Sequence, residues 1–453
     1  MNERISRRSL LKVAGIGAAG AALAACAATP APEVVKETVV VEKEVEPAAI
    51  TEPVEVVFHG RMGKQGDWFQ KYADMFNESQ SGIRAVCENI PGSEFHQKIQ
   101  ISAVGGTIGD AIWETSAVHF YSFAARGLFA DHTPLVEVDN YDMGQFFKYS
   151  VEEPGGVTVE GKIRGLPWLC NPGASGLFYN KGIFDQAGTG YPEEGWTYDD
   201  LTEAALSLAE YDAEGNPTRF GFYSSIECYH VCDQWRAWGS DWISRDGKTA
   251  TIDSEGCVGA LQWVSDMVNE HRVSPSPAQV EGGIAQMFGS GKLAMFAEYY
   301  GSVSYGDELY SEIDWAVAPT PFGPSGIQGH TLFFDPVSVT AQSKHPHETF
   351  QFLRSMVTRE AGIDLALAQG YPGCRPDVWA SEELTSKPYH DVFAKSLEDS
   401  IPVAVPANFR LWELYLECLS GLDPLATGTE PDATKVAAAL NPKLQAILDR
   451  PII

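Results

Sequence analysis

The chain has 453 residues, a formal charge of −29 and 44% apolar residues, with 11 Trp, 17 Tyr and 22 Phe. That length exceeds one ordinary core and predicts about two domains. So acidic a surface repels phosphates and removes nucleic acid from the natural partners; an anionic small ligand is disfavoured less, because a pocket can differ from the surface around it.

The N-terminus reads as an address. Ser6-Arg7-Arg8-Ser9-Leu10-Leu11-Lys12 matches a twin-arginine export signal. Val13 to Ala25 is apolar but rich in Ala and Gly, and too short to span a bilayer. It runs into Leu23-Ala24-Ala25-Cys26, which resembles the lipobox of bacterial lipoproteins. Residues 1–26 are therefore expected to be a signal, cleaved before Cys26, which becomes the lipid anchor on the outer face of the membrane. Residues 27–52 mix Pro, Ala, Val and Glu without a period and read as a flexible tether with a spread of about 30 Å.

From there strand and helix alternate. Val54 to Phe58 reads as a strand, and Gly66 to Ser79 as a helix with Trp68, Tyr72, Met75 and Phe76 on one face. Ile83 to Ile90 is the next strand, Phe95 to Val104 a helix that stops at Gly105-Gly106, and Asp110 to Trp113 a third strand. A helix follows through Ala125, with Gly127 as its C-cap signal. This alternation argues for a mostly parallel sheet with helices on both faces.

The stretch from Glu160 to Gly188 changes character. Pro167, Pro172 and Gly173 interrupt regular structure, Leu177-Phe178-Tyr179 reads as a buried strand, and Asn180 is placed to cap a short helix. A strand that leaves one body and opens a helix in another suits a hinge. Thr197-x-x-Asp200 then opens a helix as a capping box, with Leu201, Ala205, Leu208 and Ala209 as its stripe. Strands are expected at 220–222, 293–296, 315–318 and 331–341, and helices at 254–270, 347–356 and 362–368, with 391–448 mostly helical. Seven cysteines follow Cys26, an odd number. Cys228 and Cys232 flank His230, but the spacing is not C-x-x-C and no second pair answers it, so buried thiols or a local disulfide fit better than metal.

Several motifs together resemble the solute-binding proteins of ABC importers, in particular the sugar-binding, maltose-binding-like group. Gly161-Lys162, Gly165-Leu166-Pro167, Leu177 to Lys181, Phe184 and Ala187-Gly188 match that family's lobe crossover. Lys98 through Gly105-Gly106 to Asp110, Ala124 to Phe129, Gly291 to Met295, Ser343 to Pro346, Pro372 to Arg375 and the 423–448 tail follow in the family's order. The resemblance implies an α/β, two-lobed periplasmic-binding-protein fold of type II, each lobe a mixed, mostly parallel sheet flanked by helices, with the ligand cleft between the lobes. By analogy the first lobe would be 53–168 plus 328–374 and the second 175–327 plus 376–453. It also implies a monomeric receptor that delivers a carbohydrate to an ABC permease, with no cofactor and no catalysis.

A neutral sugar needs aromatic planes for its C–H faces and planar polar groups for its hydroxyls. Ligands of open α/β sheets sit beyond strand C-terminal ends. His59 and Arg61 follow the first strand and Glu114 follows the third; each is a site residue or a surface loop residue. Trp168 stands at the crossover, for ligand contact or for packing. Tyr229, Trp235 and Trp238 lie on a helical stretch, where Trp235 and Trp238 share a face and suit a core equally well. Glu298, Tyr299 and Tyr300 match the family's pocket loop, and Arg375 matches the Arg after its Pro. His330 reads as structural or interlobe. Adjacent tyrosines with His and Glu also suit a ferric-ion-binding protein of the same fold, and an exported glycoside hydrolase would need two carboxylates at a set separation.

Overall fold

Val56 and Phe58 alternate with more exposed neighbours and sink to 1% and 0% exposure, which fixes the first strand's inner face. The computed structural model describes residues 52–113, 117–153, 155–306 and 308–453. The signal, Cys26, the tether up to residue 51 and Glu114 lie outside the described residues. In chain order the first strands are β1 (Val54–Arg61), β2 (Ile83–Ile90), β3 (Ala111–Trp113), β4 (Thr158–Val159), β5 (Lys162–Ile163) and β6 (Leu166–Asn171). Then come β7 (Gly176–Asn180), β8 (Glu210–Tyr211), β9 (Pro217–Tyr223), β10 (Leu293–Glu298), β11 (Trp315–Pro319), β12 (Thr331–Val339) and β13 (Ile401–Pro402).

The strands form two large sheets, one for each lobe, and a two-stranded ribbon of β4 and β5. The first is six-stranded, with order β13-β12-β3-β1-β2 and β6 paired to β12; the second is five-stranded, with order β11-β7-β10-β9-β8. Both are mixed. β1 pairs in parallel with β2 and β3, and β9 with β10. The antiparallel pairs include β6 with β12 and β7 with both β10 and β11, which are the strands at which the chain leaves one sheet for the other. The chain changes sheet between β6 and β7 and again between β11 and β12, and β13 returns to the start of β12, pairing Ile401 with Thr331. The described residues from 52 onward pack as one unit.

The local signals explain the element ends. The Lys181–Ala187 helix starts where the Asn180 side chain accepts from the Ile183 N–H at 3.3 Å. The Tyr198–Leu208 helix carries the full capping box of Thr197 and Asp200. The Lys64–Ser79 helix buries Trp68, Phe69, Tyr72 and Ala73. Met75, expected on that face, is 51% exposed. The helix is rolled so that Phe69 faces the sheet, and Trp68 Nε1 donates to Asp364 at 3.0 Å. Burying each such aromatic contributes roughly 2 kcal/mol. Cys170, Cys257, Cys374 and Cys418 are buried free thiols. Among the described residues no helix is long and apolar enough to cross a membrane.

Candidate functional site

A cavity of about 400 Å³ lies between the lobes and takes its lining from both. Arg61 ends β1 and Trp113 ends β3, both parallel strands, so their side chains arrive at the carboxyl edge where ligands of such sheets bind. Asn171 closes β6, Asp335 projects from β12 and Tyr371 follows the Arg359–Gln369 helix. Tyr299 comes from just beyond β10 of the second sheet, and Trp412 and Tyr415, one turn apart, from the Leu411–Thr427 helix.

The walls are aromatic. Trp113 is 5% exposed, and its ring lies 5.3 Å from that of Trp168. Trp412 stacks on Tyr415 at 5.4 Å and 12°. On the other side it meets His119 at 4.1 Å, and His119 stacks on His96 at 3.5 Å. His96 and His119 sit on the Phe95–Gly105 and Ala117–Ala125 helices of the first lobe, so this ladder of rings joins the lobes. Burial, helped by His96 and Arg61 nearby, pushes the His119 pKa down to about 2, so it stacks as a neutral ring. Along the same seam Ser122 Oγ donates to the Phe409 carbonyl at 2.7 Å.

Two polar atoms stand out on this lining. Trp113 Nε1 and Asn171 Oδ1 are buried with no hydrogen-bond partner among the described residues. Such groups cost about 1–3 kcal/mol when left unpaired. An indole donor and an amide acceptor beside flat rings can pair with a ligand that offers hydroxyls next to apolar faces.

The second lobe adds a charged pair behind Tyr299. His230 Nε2 lies 2.9 Å from Glu298 Oε1, with the two side chains 13% and 15% exposed. Burial works to lower the His230 pKa, but the Glu298 carboxylate raises it to about 9. The Tyr299 ring is 6.2 Å from the His230 ring and lines the cavity.

Of the residues singled out by sequence, Arg61 and Tyr299 line the cavity, and Glu298 stands next to it. Arg61 is packed so closely over Gly92 that a Cβ there would sit 2.5 Å from its guanidinium. Glu114 and the Tyr229 side chain lie outside the described residues. The others are placed elsewhere, each for a packing reason. His59 Nε2 accepts from the Gly109 N–H at 2.9 Å, tying β1 to the loop before β3. Trp168 is 2% exposed and wedged between Phe69 at 4.9 Å and Trp68 at 5.6 Å, so it backs Trp113 from within the core. Trp235 is fully buried and stacks on Trp242 at 5.9 Å. Trp238 packs on Tyr198 at 4.6 Å and on Trp263 at 6.2 Å. Tyr300 opens the 3-10 turn Tyr300–Tyr305, and its buried hydroxyl meets His390 Nδ1 at 3.1 Å. Arg375 holds Asp377 at 2.6 Å in the first turn of the Pro376–Trp379 helix. His330 is buried and meets Thr320 Oγ1 at 2.8 Å, an interlobe-segment contact.

Sequence reasoning missed Trp113, Asn171, Asp335, Tyr371, Trp412 and Tyr415. Three carried a readable signal. Asp335 is a charge inside the otherwise apolar run of β12, and Trp412 with Tyr415 is an aromatic pair at a helix start. Tyr371 is brought in by tertiary packing alone.

Comparison with known proteins adds three findings. The sequence profile described as bacterial extracellular solute-binding protein matches residues 71–391. A binding protein of Brucella abortus is 24% identical over 68% of this chain and 72% of its own. An arabinooligosaccharide-binding protein of Halalkalibacterium halodurans is 24% identical over 52% of this chain and 50% of its own. Among solved structures, an ABC substrate-binding protein of Listeria monocytogenes in complex with cycloalternan superposes with a TM-score of 0.77 at 20% identity, covering 87% of this chain and 99% of that one. A receptor of Streptomyces glaucescens, solved without ligand and with acarbose, has a TM-score of 0.74 at 20% identity over 88% of this chain and 99% of that one. These likenesses carry the fold.

Proposed function

The chain belongs to the bacterial extracellular solute-binding protein family, and on that premise we propose that it is the receptor of an ABC importer that closes on an oligosaccharide and hands it over unreacted. The observation that carries this reading is the interlobe cavity, where Trp113, Trp412, Tyr415, Tyr299 and Tyr371 supply planes and Arg61, Asp335 and Asn171 supply hydrogen-bonding groups. Sugars offer both kinds of surface. The named ligands of the relatives, arabinooligosaccharide and cycloalternan, support the same class. Because the ligand touches both lobes, binding and closure are linked.

The reading extends to the whole chain. Lobe one is assigned 53–168 plus 328–374, and lobe two 175–327 plus 376–453, except that β13 within the last segment pairs into the first lobe's sheet. Cys26 carries the lipid, so the receptor works as a monomer on the outer face of the membrane beside its permease; Cys26→Ser would release it from the membrane fraction. The family description supports an extracytoplasmic place. An iron site is disfavoured because one of the two adjacent phenols, that of Tyr300, is already bonded to His390. A retaining or inverting hydrolase needs two acids, and Asp335 is the one acid lining the cavity among the described residues.

A thermal-shift screen with maltotriose, mannotriose and arabinotriose tests the proposal. At least one saccharide is expected to raise the unfolding temperature. No shift with any sugar, alongside a shift with a peptide or ferric citrate, contradicts it.

A further inference from the structure

One helix of the second lobe, Cys228–Ala237, touches both points at which the chain changes sheet and also β13, the strand that returns to β12. Asp233 on it is 6% exposed. Its Oδ2 accepts from the Ala174 N–H at 2.8 Å, in the first crossing, and its Oδ1 accepts from the Thr331 N–H at 2.7 Å, in the second. One turn further on, Arg236 is 4% exposed and donates to the Ile401 carbonyl at 2.8 Å and the Pro402 carbonyl at 3.0 Å, where the chain returns to the first sheet. Asp241 meets the same guanidinium at 3.3 Å.

The glycines beside these bonds show how close the crossings lie. A Cβ at Gly173 would sit 2.6 Å from the Asp233 carboxylate and 2.8 Å from the Thr331 carbonyl, and the residue has φ +77. A Cβ at Gly329 would sit 2.3 Å from the Asp233 carbonyl, with φ +85. The first crossing therefore presses on the Asp233 carboxylate and the second on the helix backbone, each at a residue free to turn. Hinges absorb closure in a few such dihedrals. A carboxylate that holds two main-chain donors at once makes their motions dependent on each other.

We propose that Asp233 is the pin of the interlobe hinge, a positioning residue that couples the first and second crossings, with Arg236 tying the same helix to β13. Lobe closure is then a rotation about this helix, and the two side chains limit how far the ligand-free lobes part. Asp233 lies outside the lining of the binding cavity, so its effect reaches the ligand through lobe position. The proposal rests on the two-lobed fold and not on the ligand's identity, and its test uses no sugar.

The experiment measures interlobe distances by double electron–electron resonance in the ligand-free protein. Bio-orthogonal spin labels are placed at Val104, 92% exposed on the first lobe, and Leu416, 46% exposed on the Leu411–Thr427 helix. Asp233→Asn keeps the shape but turns one acceptor into a donor facing an N–H. It is expected to widen the distance distribution at least twofold at a temperature where circular dichroism reports a folded protein. Asn269→Ala removes a buried bond to the Leu425 carbonyl far from the crossings, and is expected to lower the melting temperature without widening the distribution. A distribution for Asp233→Asn that superimposes on that of the unsubstituted protein overturns the proposal. Should Asp233→Asn fail to fold, Arg236→Gln, which leaves both Asp233 bonds in place, is read in the same way, with widening expected and an unchanged distribution decisive against it.

Discussion

The cavity and the hinge are both built from buried polar groups, and the two charged groups of the hinge are used differently from two neutral groups of the cavity. At the hinge, Asp233 has both oxygens occupied by main-chain donors, and Arg236 is spread over carbonyls and Asp241. In the cavity, Trp113 Nε1 and Asn171 Oδ1 are buried without a partner among the described residues. Satisfied groups hold the fold together, whereas groups left open carry a cost that a ligand can recover. Access to the cavity divides the tryptophans. Trp235 and Trp168 are enclosed by protein, while Trp113 and Trp412 present part of their rings to the cavity.

The largest effect expected from breaking this contrast is on stability. Trp235→Ala opens a cavity in the core beside Trp242 and should cost about 3–5 kcal/mol in denaturant unfolding, while the protein that remains folded binds ligand normally. Next comes affinity. Trp412→Ala removes a plane from the cavity and from the ring ladder, and should weaken saccharide binding by about 2 kcal/mol, roughly thirtyfold, in calorimetry.

A smaller effect follows from pH. The His230 pKa is raised from 6.5 to about 9, so its contribution to stability is complete below the ordinary value and is lost as pH rises through 9. Burial raises the Asp233 pKa to about 7, so ionising Asp233 costs stability between its ordinary value of 3.8 and about 7 and changes little above that. The decline in melting temperature between pH 7 and 9.5 is therefore assigned to His230 and should flatten in Glu298→Gln. The smallest effect is at Arg375. Its partner Asp377 is 46% exposed, so Arg375→Ala should change stability by less than about 1 kcal/mol and leave affinity unchanged.

Much of the fold was legible. Capping by Asn180, Thr197 and Ser254, the buried run of β7 and the apolar spacing of the long helices are local signals, and the elements begin and end close to them. The roll of the first helix was not legible: Trp68, Phe69, Tyr72 and Phe76 make an apolar arc broad enough for more than one orientation, and Asp364, distant in sequence, selects it. The cavity was legible where a residue sits at a strand end, as Arg61 and Tyr299 do. It was hidden where lining arrives from remote turns, as with Tyr371. Aromatic residues misled in both directions, because a tryptophan that packs a core and one that covers a sugar face have the same local sequence requirements.

The account rests on a cleft that takes an unreacted oligosaccharide between two lobes. Isothermal titration calorimetry of the purified protein with the saccharide that gives the largest thermal shift tests this most directly. The account predicts saturable heat at one ligand per chain, with the sugar recovered unchanged after titration. Absence of heat with every saccharide, or release of a cleaved product, would contradict it.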